Sequence, residues 1–361
     1  MKWIKQLNDL KAYQPGKTID EVKKEFGLEE IIKLASNENP YRYSPKVDEL
    51  LKSGSFQHMI YPDGAAVSLR EAMANYYDLE PGNFIFGNGS DEIIQMITRA
   101  LVEPGVNTVM PTPSFPQYRH NCYLQGGESK EIPLVNGEHD LQSMLQAIDE
   151  NTSIVWLCSP NNPTGTYIPK TELFDFISKV PSHVLVVIDQ AYHEYVTADD
   201  YPDSLSIYHE FDNVILLRTF SKIYGLAGFR VGYGIASKEI VSKLDPVREP
   251  FNVNTLGQMV AKTALEDIQF IEECKIKNSE QRDRYYQFCE EHNLQYFPTE
   301  GNFILINMEK DSQEVCEFLL RNGVIVRSGA ALGYLGWIRI TIGQHDENTK
   351  VFKLLNQLVN N

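Results

Sequence analysis

The chain has 361 residues, of which 42% are hydrophobic and 23% charged, a length that allows one large hydrophobic core and a second, smaller one. Its formal net charge of −16 argues against a nucleic-acid partner, which would need a basic face, although a local cluster of arginine, lysine and backbone N–H groups could still hold a small anion. Apolar runs are shorter than the roughly 18 residues that span a bilayer, and the N-terminus has no continuous apolar segment, so we expect neither a membrane span nor a signal peptide.

Short apolar strands alternate with helical stretches from about residue 83 to 236. We predict strands over 83–88, 107–111, 129–134, 153–159, 184–189, 213–220 and 230–236, with helices such as 91–102 and 141–150 between several of them. β-branched runs separated by helices indicate an α/β fold with a mostly parallel sheet covered on both faces. Ligands of such sheets bind beyond the carboxyl ends of the strands, so the residues that follow the strands should face one cavity.

The pattern changes after residue 236. Residues 257–293 are predicted to form one long helix, three short strands follow over 302–308, 323–330 and 336–343, and a helix closes the chain. We interpret 46–256 as a large α/β domain and 257–361 as a smaller α+β domain. Residues 1–45 are an N-terminal arm that joins the small domain.

The five cysteines are scattered along the chain and none of them forms a C-x-x-C pair. This spacing favours neither a disulfide framework nor a zinc site. We therefore expect packed, reduced thiols in a cytoplasmic protein without a metal.

The segment after the first predicted strand, GNGSDE (87–92), opens a helix with two glycines and Ser90. Free N–H groups at a helix N-terminus suit a phosphate, although an ordinary capped helix is the alternative. The dinucleotide pattern G-x-G-x-x-G is broken, because Glu92 stands where its third glycine would be. Phe115, after the second strand, could lie against a flat ring or pack in the core.

Polar groups follow three later strands. Asn162 lies in SPNNPTG (159–165), and Asp189 lies with Tyr192 in DQAYHEY (189–195). Lys222 lies in RTFSKIYGLAGFRVGYG (218–234), after a buried strand. Each residue alone has a structural explanation, such as a turn or a helix cap. Together, a lysine, an aspartate, a tyrosine, an asparagine and two phosphate-binding segments predict a phosphorylated aromatic cofactor with an aldehyde, which pyridoxal 5′-phosphate fits.

The chain resembles the fold-type I pyridoxal-phosphate aminotransferases, and within them the histidinol-phosphate branch. SPNNPTG and the pattern SK-x-x-x-L-A-G-x-R are highly specific to the superfamily, while YQPGK (13–17), EHDL (138–141) and RSGAALG (327–333) narrow the resemblance to the branch. Other shared segments are KLASNENP (33–40), IYPDG (60–64) and IRITIG (338–343), so the resemblance covers nearly the whole chain. It implies a large domain with a mostly parallel seven-stranded sheet and a smaller α+β domain.

The activity implied by the resemblance is transamination of L-histidinol phosphate with 2-oxoglutarate to imidazole-acetol phosphate and L-glutamate, a step of histidine biosynthesis. Two other activities on the same fold stay open. One is an aromatic amino-acid aminotransferase, and the other is a decarboxylase of a phosphorylated amino acid such as threonine phosphate. A nucleotide-dependent oxidoreductase conflicts with the broken glycine pattern, and a cofactor-sensing regulator would need a DNA-binding domain for which the chain has no room.

The resemblance also implies how the cofactor is held. Lys222 is its covalent anchor and moves the proton, which requires a pKa below the usual value of about 10.4. Asp189 faces the ring nitrogen and keeps it protonated, and Tyr192 acts beside it. The other cofactor contacts are Phe115 against the ring, Tyr192 and Asn162 toward the ring oxygen, and Thr219, Ser221, Arg230, Ser90 and Asp91 around the phosphate.

For the substrate, the resemblance implies that Arg339 binds the anionic end, since one planar guanidinium can hold a phosphate or a carboxylate. Tyr13 and Arg327 are further phosphate contacts, and Asn37 lies near the substrate amine. Tyr61 reaches the site of a neighbouring subunit, which implies a homodimer.

The stretch NPYRYSP (39–45) departs from the family pattern, because Arg42 stands where a glycine is usual. This arm is expected to border the substrate entrance, so the departure bears on fine substrate preference. DQAY in place of D-E-A-Y changes a neighbour of Asp189 and is a smaller difference.

Overall fold

The computed structural model describes residues 1–8, 10, 17–54, 56–57 and 59–359. Its strands are β1 Ile32–Lys33, β2 Phe84–Gly87, β3 Asn107–Thr112, β4 Glu128–Pro133, β5 Thr152–Cys158, β6 Leu185–Asp189, β7 Val214–Thr219, β8 Gly232–Ala236, β9 Phe303–Asn307, β10 Val324–Ile325, β11 Arg327–Ser328 and β12 Trp337–Thr341. Its α-helices are α1 Ile19–Phe26, α2 Pro45–Ser53, α3 Val67–Tyr77, α4 Ser90–Leu101, α5 Gln117–Leu124, α6 Leu141–Ala147, α7 Lys170–Lys179, α8 Ser204–Glu210, α9 Lys238–Leu244, α10 Thr255–Leu265, α11 Ile268–Glu291, α12 Ser312–Arg321 and α13 His345–Val359.

A seven-stranded sheet forms the centre of the large part of the molecule, in the order β2-β8-β7-β6-β5-β3-β4. Its neighbours pair in parallel except for β8, which is antiparallel to both β2 and β7. The central strands β6 and β7 are buried at every residue, as expected for strands covered on both faces. The predicted mostly parallel seven-stranded sheet is confirmed.

The two faces of this sheet belong to two hydrophobic cores. Side chains alternate between the faces along a strand, and on β5 Val155 and Leu157 join one core while Ile154 and Trp156 join the other. Helices α3, α7, α8 and α10 contribute to the first core, and α4, α5 and α9 contribute to the second. The helices therefore cover both faces of the sheet and leave its strand ends open to a cavity.

The C-terminal part contains an antiparallel sheet in the order β11-β12-β9. Strand β1 of the N-terminal arm pairs in parallel with β10, so the arm lies beside this part of the chain. The predicted single helix over 257–293 is wrong, because the chain forms α10 and α11 instead. Asp267 interrupts the helix, and its side chain accepts a hydrogen bond from the backbone N–H of Phe270 as the N-cap of α11.

Within the described ranges, no helix is both long enough and apolar enough to cross a membrane. All five cysteines are free. Cys122, Cys158, Cys274 and Cys289 are buried, and Cys316 is partly exposed. Cys274 packs in the first core and Cys122 and Cys158 in the second, whereas Cys289 lies in a separate core of the C-terminal part, against which Cys316 packs.

Candidate active site

A cavity of about 650 Å³ lies beyond the carboxyl ends of the central strands. Parallel pairing places Asp189 at the end of β6 beside Cys158 at the end of β5, and Thr219 ends the adjacent β7. Segments far apart in the chain therefore converge here. The predicted site residues that line the cavity are Asn37, Ser90, Asp91, Phe115, Asn162, Asp189, Tyr192, Thr219, Ser221, Lys222, Arg230, Arg327 and Arg339.

One end of the cavity is built to hold an anion. Arg230 donates to the Asp91 carboxylate at 3.2 Å and to the Ser221 hydroxyl at 3.4 Å, beside the N-terminus of α4. A Cβ atom at Gly89 would lie 2.6 Å from the Arg230 guanidinium, and one at Gly232 would lie 2.3 Å from the backbone nitrogen of Ser90. Only glycine permits this close approach. The guanidinium, the hydroxyls and the helix N-terminus together fit a phosphate group.

The aspartate at the floor of the cavity is held by two donors. The Tyr118 hydroxyl donates to Oδ2 of Asp189 at 2.7 Å, and the Ala191 N–H donates to Oδ1 at 3.1 Å. Burial raises the pKa of Asp189 to about 6, and the two hydrogen bonds oppose that rise. A buried carboxylate in this position fits the protonated nitrogen of an aromatic ring.

Tyr118 was missed by the sequence reasoning. It lies three residues after Phe115, at the start of α5, and the two rings meet edge to face with centroids 5.6 Å apart. The i, i+3 spacing at a helix start could have indicated that the two aromatic residues share one face. Nothing in the local sequence indicates that Tyr118 reaches a residue 71 positions away.

The Lys222 amine lies in the cavity, 3.1 Å from the carbonyl oxygen of Ser36 and 5.6 Å from the centre of the Tyr192 ring. Burial and then the positive charge of Arg339 lower the pKa of Lys222 to about 8, against a smaller opposing effect of Glu38. A substantial fraction of the amine is therefore neutral near pH 8, which a nucleophile and proton carrier requires.

A chain of hydrogen bonds orients the polar groups on the opposite wall. Asn37 donates to the Tyr192 hydroxyl at 3.0 Å, and Asn37 is itself held by Thr341. Arg339 donates to Oδ1 of Asn162 at 2.5 Å. Because a guanidinium can only donate, this bond leaves the amide nitrogen of Asn162 as the donor for the cavity. Asn37 therefore contacts Tyr192, and the family resemblance implies that Tyr192 contacts the cofactor.

Two arginines face each other across an antiparallel strand pair. Arg327 on β11 is directly opposite Arg339 on β12, and both line the cavity. Directly opposite side chains lie on one face of a sheet, and two like charges there repel unless an anion lies between or beside them. This wall is therefore suited to bind an anionic substrate group.

Three further residues singled out in the sequence are not among the described residues that line the cavity. Tyr61 is outside this cavity, with 79% of its surface exposed and its ring stacked on Phe251 at 4.8 Å. Tyr13 lies outside the described residues. Arg42 is exposed and is not among the described residues that line the cavity. Its backbone φ is +70°, a left-handed conformation that favours glycine. The position thus keeps the backbone conformation that explains the usual glycine.

The fold and the site define an aminotransferase: residues 29–354 match the family model of class I and II aminotransferases, and the chain belongs to that family. Within it, the chain is 53% identical to histidinol-phosphate aminotransferase of Geobacillus thermodenitrificans over 359 residues, which cover 99% of this chain and 98% of that one. It is 52% identical to the enzyme of the same name from Lysinibacillus sphaericus, over 99% of this chain and 98% of that one. The chain is a member of the histidinol-phosphate aminotransferase family.

A solved structure supports this assignment. The histidinol-phosphate aminotransferase of Sinorhizobium meliloti, determined in complex with pyridoxal-5′-phosphate, superposes with a TM-score of 0.90 over 99% of this chain and 98% of that one. The two sequences are 26% identical. The shared fold therefore extends over both parts of the molecule.

Proposed function

We propose that this chain uses pyridoxal 5′-phosphate to transaminate L-histidinol phosphate with 2-oxoglutarate, giving imidazole-acetol phosphate and L-glutamate in histidine biosynthesis. The observation that carries the proposal is the facing pair Arg327 and Arg339 in a cavity that also holds Lys222. A second anion site at Arg230 lies in the same cavity. The cavity thus provides one site for a cofactor phosphate and another for the substrate anion.

When bound, pyridoxal phosphate supplies an aldehyde that accepts the amino group and a ring that withdraws electrons from the substrate carbon. Asp189 would hold the proton on the ring nitrogen, and Tyr192 and Asn162 would donate toward the ring oxygen. Lys222 would anchor the cofactor through its neutral amine, and once the substrate amine has displaced it, the freed lysine amine would take the proton from the substrate Cα. The backbone N–H groups of Ser90 and Asp91, with Thr219, Ser221 and Arg230, would surround the phosphate, and Phe115 would cover the ring.

The substrate wall serves both halves of the reaction. Histidinol phosphate carries a phosphate ester, and glutamate carries a side-chain carboxylate. Either planar guanidinium, Arg327 or Arg339, can bind both kinds of anion with two parallel hydrogen bonds. Tyr13 is a further phosphate contact in this proposal.

We further infer a cytoplasmic homodimer in which Tyr61 reaches the cofactor phosphate of the partner. The exposed ring pair of Tyr61 and Phe251 supports this inference, since it lies outside the chain's own cavity. We also propose the division of the chain into an N-terminal arm (1–45), a large α/β domain (46–256) and a small α+β domain (257–361). The pairing of β1 with β10 supports the place of the arm.

A substrate panel tests the proposed activity. We expect the highest kcat/KM with histidinol phosphate, at least about 10-fold above phenylalanine, because charge-assisted bonds to the phosphate contribute in the transition state. The formation of glutamate from 2-oxoglutarate, followed with each amino donor in turn, measures the two kcat/KM values. A higher kcat/KM with phenylalanine, or carbon dioxide release from threonine phosphate, would contradict it.

A further inference from the structure

Tyr118 approaches the buried carboxylate of Asp189 from behind the cavity. It lies on α5, is almost fully buried, and does not line the cavity, and its hydroxyl donates to Oδ2 of Asp189 at 2.7 Å. Ala191 holds the other oxygen. Both carboxylate oxygens are thus fixed by hydrogen bonds from the protein.

The Tyr118 ring cannot swing away from this contact. It stacks on Trp156 of β5 with centroids 4.8 Å apart and an interplanar angle of 12°. Phe115 meets its edge at 5.6 Å. Trp156 is completely buried, so the stack is anchored in the core of the sheet's α5 face. Rigid packing of this kind aims a single hydroxyl at one acceptor.

We propose that Tyr118 is a positioning residue that orients Asp189 and keeps it ionised for the ring nitrogen of the cofactor. This inference rests on the proposed function and deepens it. One short segment would then serve both sides of the ring, with Phe115 against its face and Tyr118 behind the carboxylate that holds its nitrogen. Tyr118 itself touches neither the cofactor nor the substrate.

The charge balance around Asp189 explains why such a donor is needed. The groups that act on the carboxylate are the hydrogen-bond donors Tyr118 and Ala191 N–H and the charges of Asp91 and Lys222. Its own charge in turn raises the pKa of the neighbouring Cys158 and Tyr192. Burial is the main cause that raises the pKa of Asp189 to about 6; within that balance Asp91 also raises the pKa and Lys222 lowers it. The bond from Tyr118 lowers it too, because the donated proton stabilises only the charged form. Without that bond, a larger fraction of Asp189 would be protonated near neutral pH.

The test is the pH dependence of cofactor affinity in Tyr118→Phe, which keeps the ring stack and removes only the hydroxyl. It uses the Lys222→Ala background, so that titration of the lysine amine does not contribute. Equilibrium dialysis with pyridoxal phosphate gives Kd with and without the substitution. The cofactor's own ionisations are the same for both proteins, so the ratio of the two Kd values isolates the protein. We expect that ratio to rise to about 10 near pH 6 and to fall toward 1 near pH 9.

Tyr201→Phe in the same background is the matched control. Its hydroxyl donates to the neutral carbonyl of Ser159 at 2.7 Å and makes no bond to Asp189, so its Kd ratio should not depend on pH. A Kd ratio for Tyr118→Phe that is independent of pH would reduce the tyrosine to a packing role and overturn the inference.

An infrared titration of the apoenzyme separates this inference from the proposed function. The protonated-carboxyl band that Asp189→Asn removes should titrate at higher pH in Tyr118→Phe than in wild type. This result does not require bound cofactor. Wild-type protein that forms no link to pyridoxal phosphate would defeat the proposed function, whereas an unchanged carboxyl titration would defeat only the assignment of Tyr118.

Discussion

At the scale of single residues, the position of Arg339 connects the proposed substrate wall to the amine of Lys222. The arginine is buried, and its charge is the largest cause after burial that lowers the pKa of the lysine to about 8. Arg327, directly opposite on β11, is not one of the main charges that shift the pKa of that amine. The two arginines therefore have separable effects, although they share one wall.

We predict that Arg339→Gln raises the pH at which Lys222 attaches pyridoxal phosphate. The sign follows from the charge: a positive neighbour disfavours the ammonium form, so its removal raises the lysine pKa above about 8 and the neutral amine appears at higher pH. The absorbance of the attached cofactor, followed against pH in the absence of substrate, measures the midpoint.

Arg327→Gln is the control, and its midpoint should stay near that of wild type. Equal shifts in the two variants would mean that the field of the whole wall, and not the one arginine, sets the lysine pKa. Both variants should raise KM for histidinol phosphate, which checks that each substitution reaches the site.

At the scale of elements, the segment after β7 depends on a close backbone contact. Gly225 follows Lys222 by three residues and donates its N–H to the Lys222 carbonyl in a tight turn. Its φ is +72°, and a Cβ atom there would lie 1.8 Å from the carbonyl oxygen of Arg42. The N-terminal arm therefore packs directly on the turn that presents the lysine.

We predict that Gly225→Ala destabilises the protein by about 3 kcal/mol, from the left-handed conformation and from the collision with the arm. Urea unfolding of the apoenzyme measures the change. Gly228→Ala is the matched control in the same segment, because a Cβ atom there meets nothing within 4 Å, and its effect should stay within about 0.5 kcal/mol. Similar unfolding midpoints for the two variants would contradict this account of the turn.

At the scale of the whole molecule, an apolar patch is exposed around the stacked rings of Tyr61 and Phe251. Met59, Ile60, Tyr61 and Phe251 expose 85%, 60%, 79% and 45% of their surfaces. Clustered apolar side chains of this kind usually mark a protein interface. A second copy of the chain would cover the patch and bring Tyr61 toward another cavity.

We predict that the wild-type protein sediments at about twice its chain mass of 41.2 kDa and that Ile60→Asp weakens the association by about 100-fold, since an unpaired charge in an interface costs several kcal/mol. Sedimentation equilibrium over a concentration series measures both. Leu335→Asp, at another position that is 83% exposed, should leave the mass unchanged. A wild-type monomer at micromolar concentration would contradict the proposed dimer.

The strands and the cavity were predictable from local patterns. Apolar runs such as 184–189 and 213–220 exceed the observed β6 and β7 by one or two residues at their ends. Because parallel strands end at one edge of a sheet, the residues after them could be expected to meet, and 13 of the predicted site residues line one cavity. Helix boundaries were less predictable, since the capping aspartate between α10 and α11 competes with a long polar helical pattern.

The sequence alone therefore establishes the class of sheet, the chemistry at its strand ends and the family resemblance, because these depend on local periodicity and on short segments. Only the tertiary structure establishes strand order, the pairing of Arg327 with Arg339, and the bond from Tyr118 to Asp189. Those features depend on distances between residues far apart in the chain. Such distances are set by how helices and strands pack together, and no local pattern in the sequence records them.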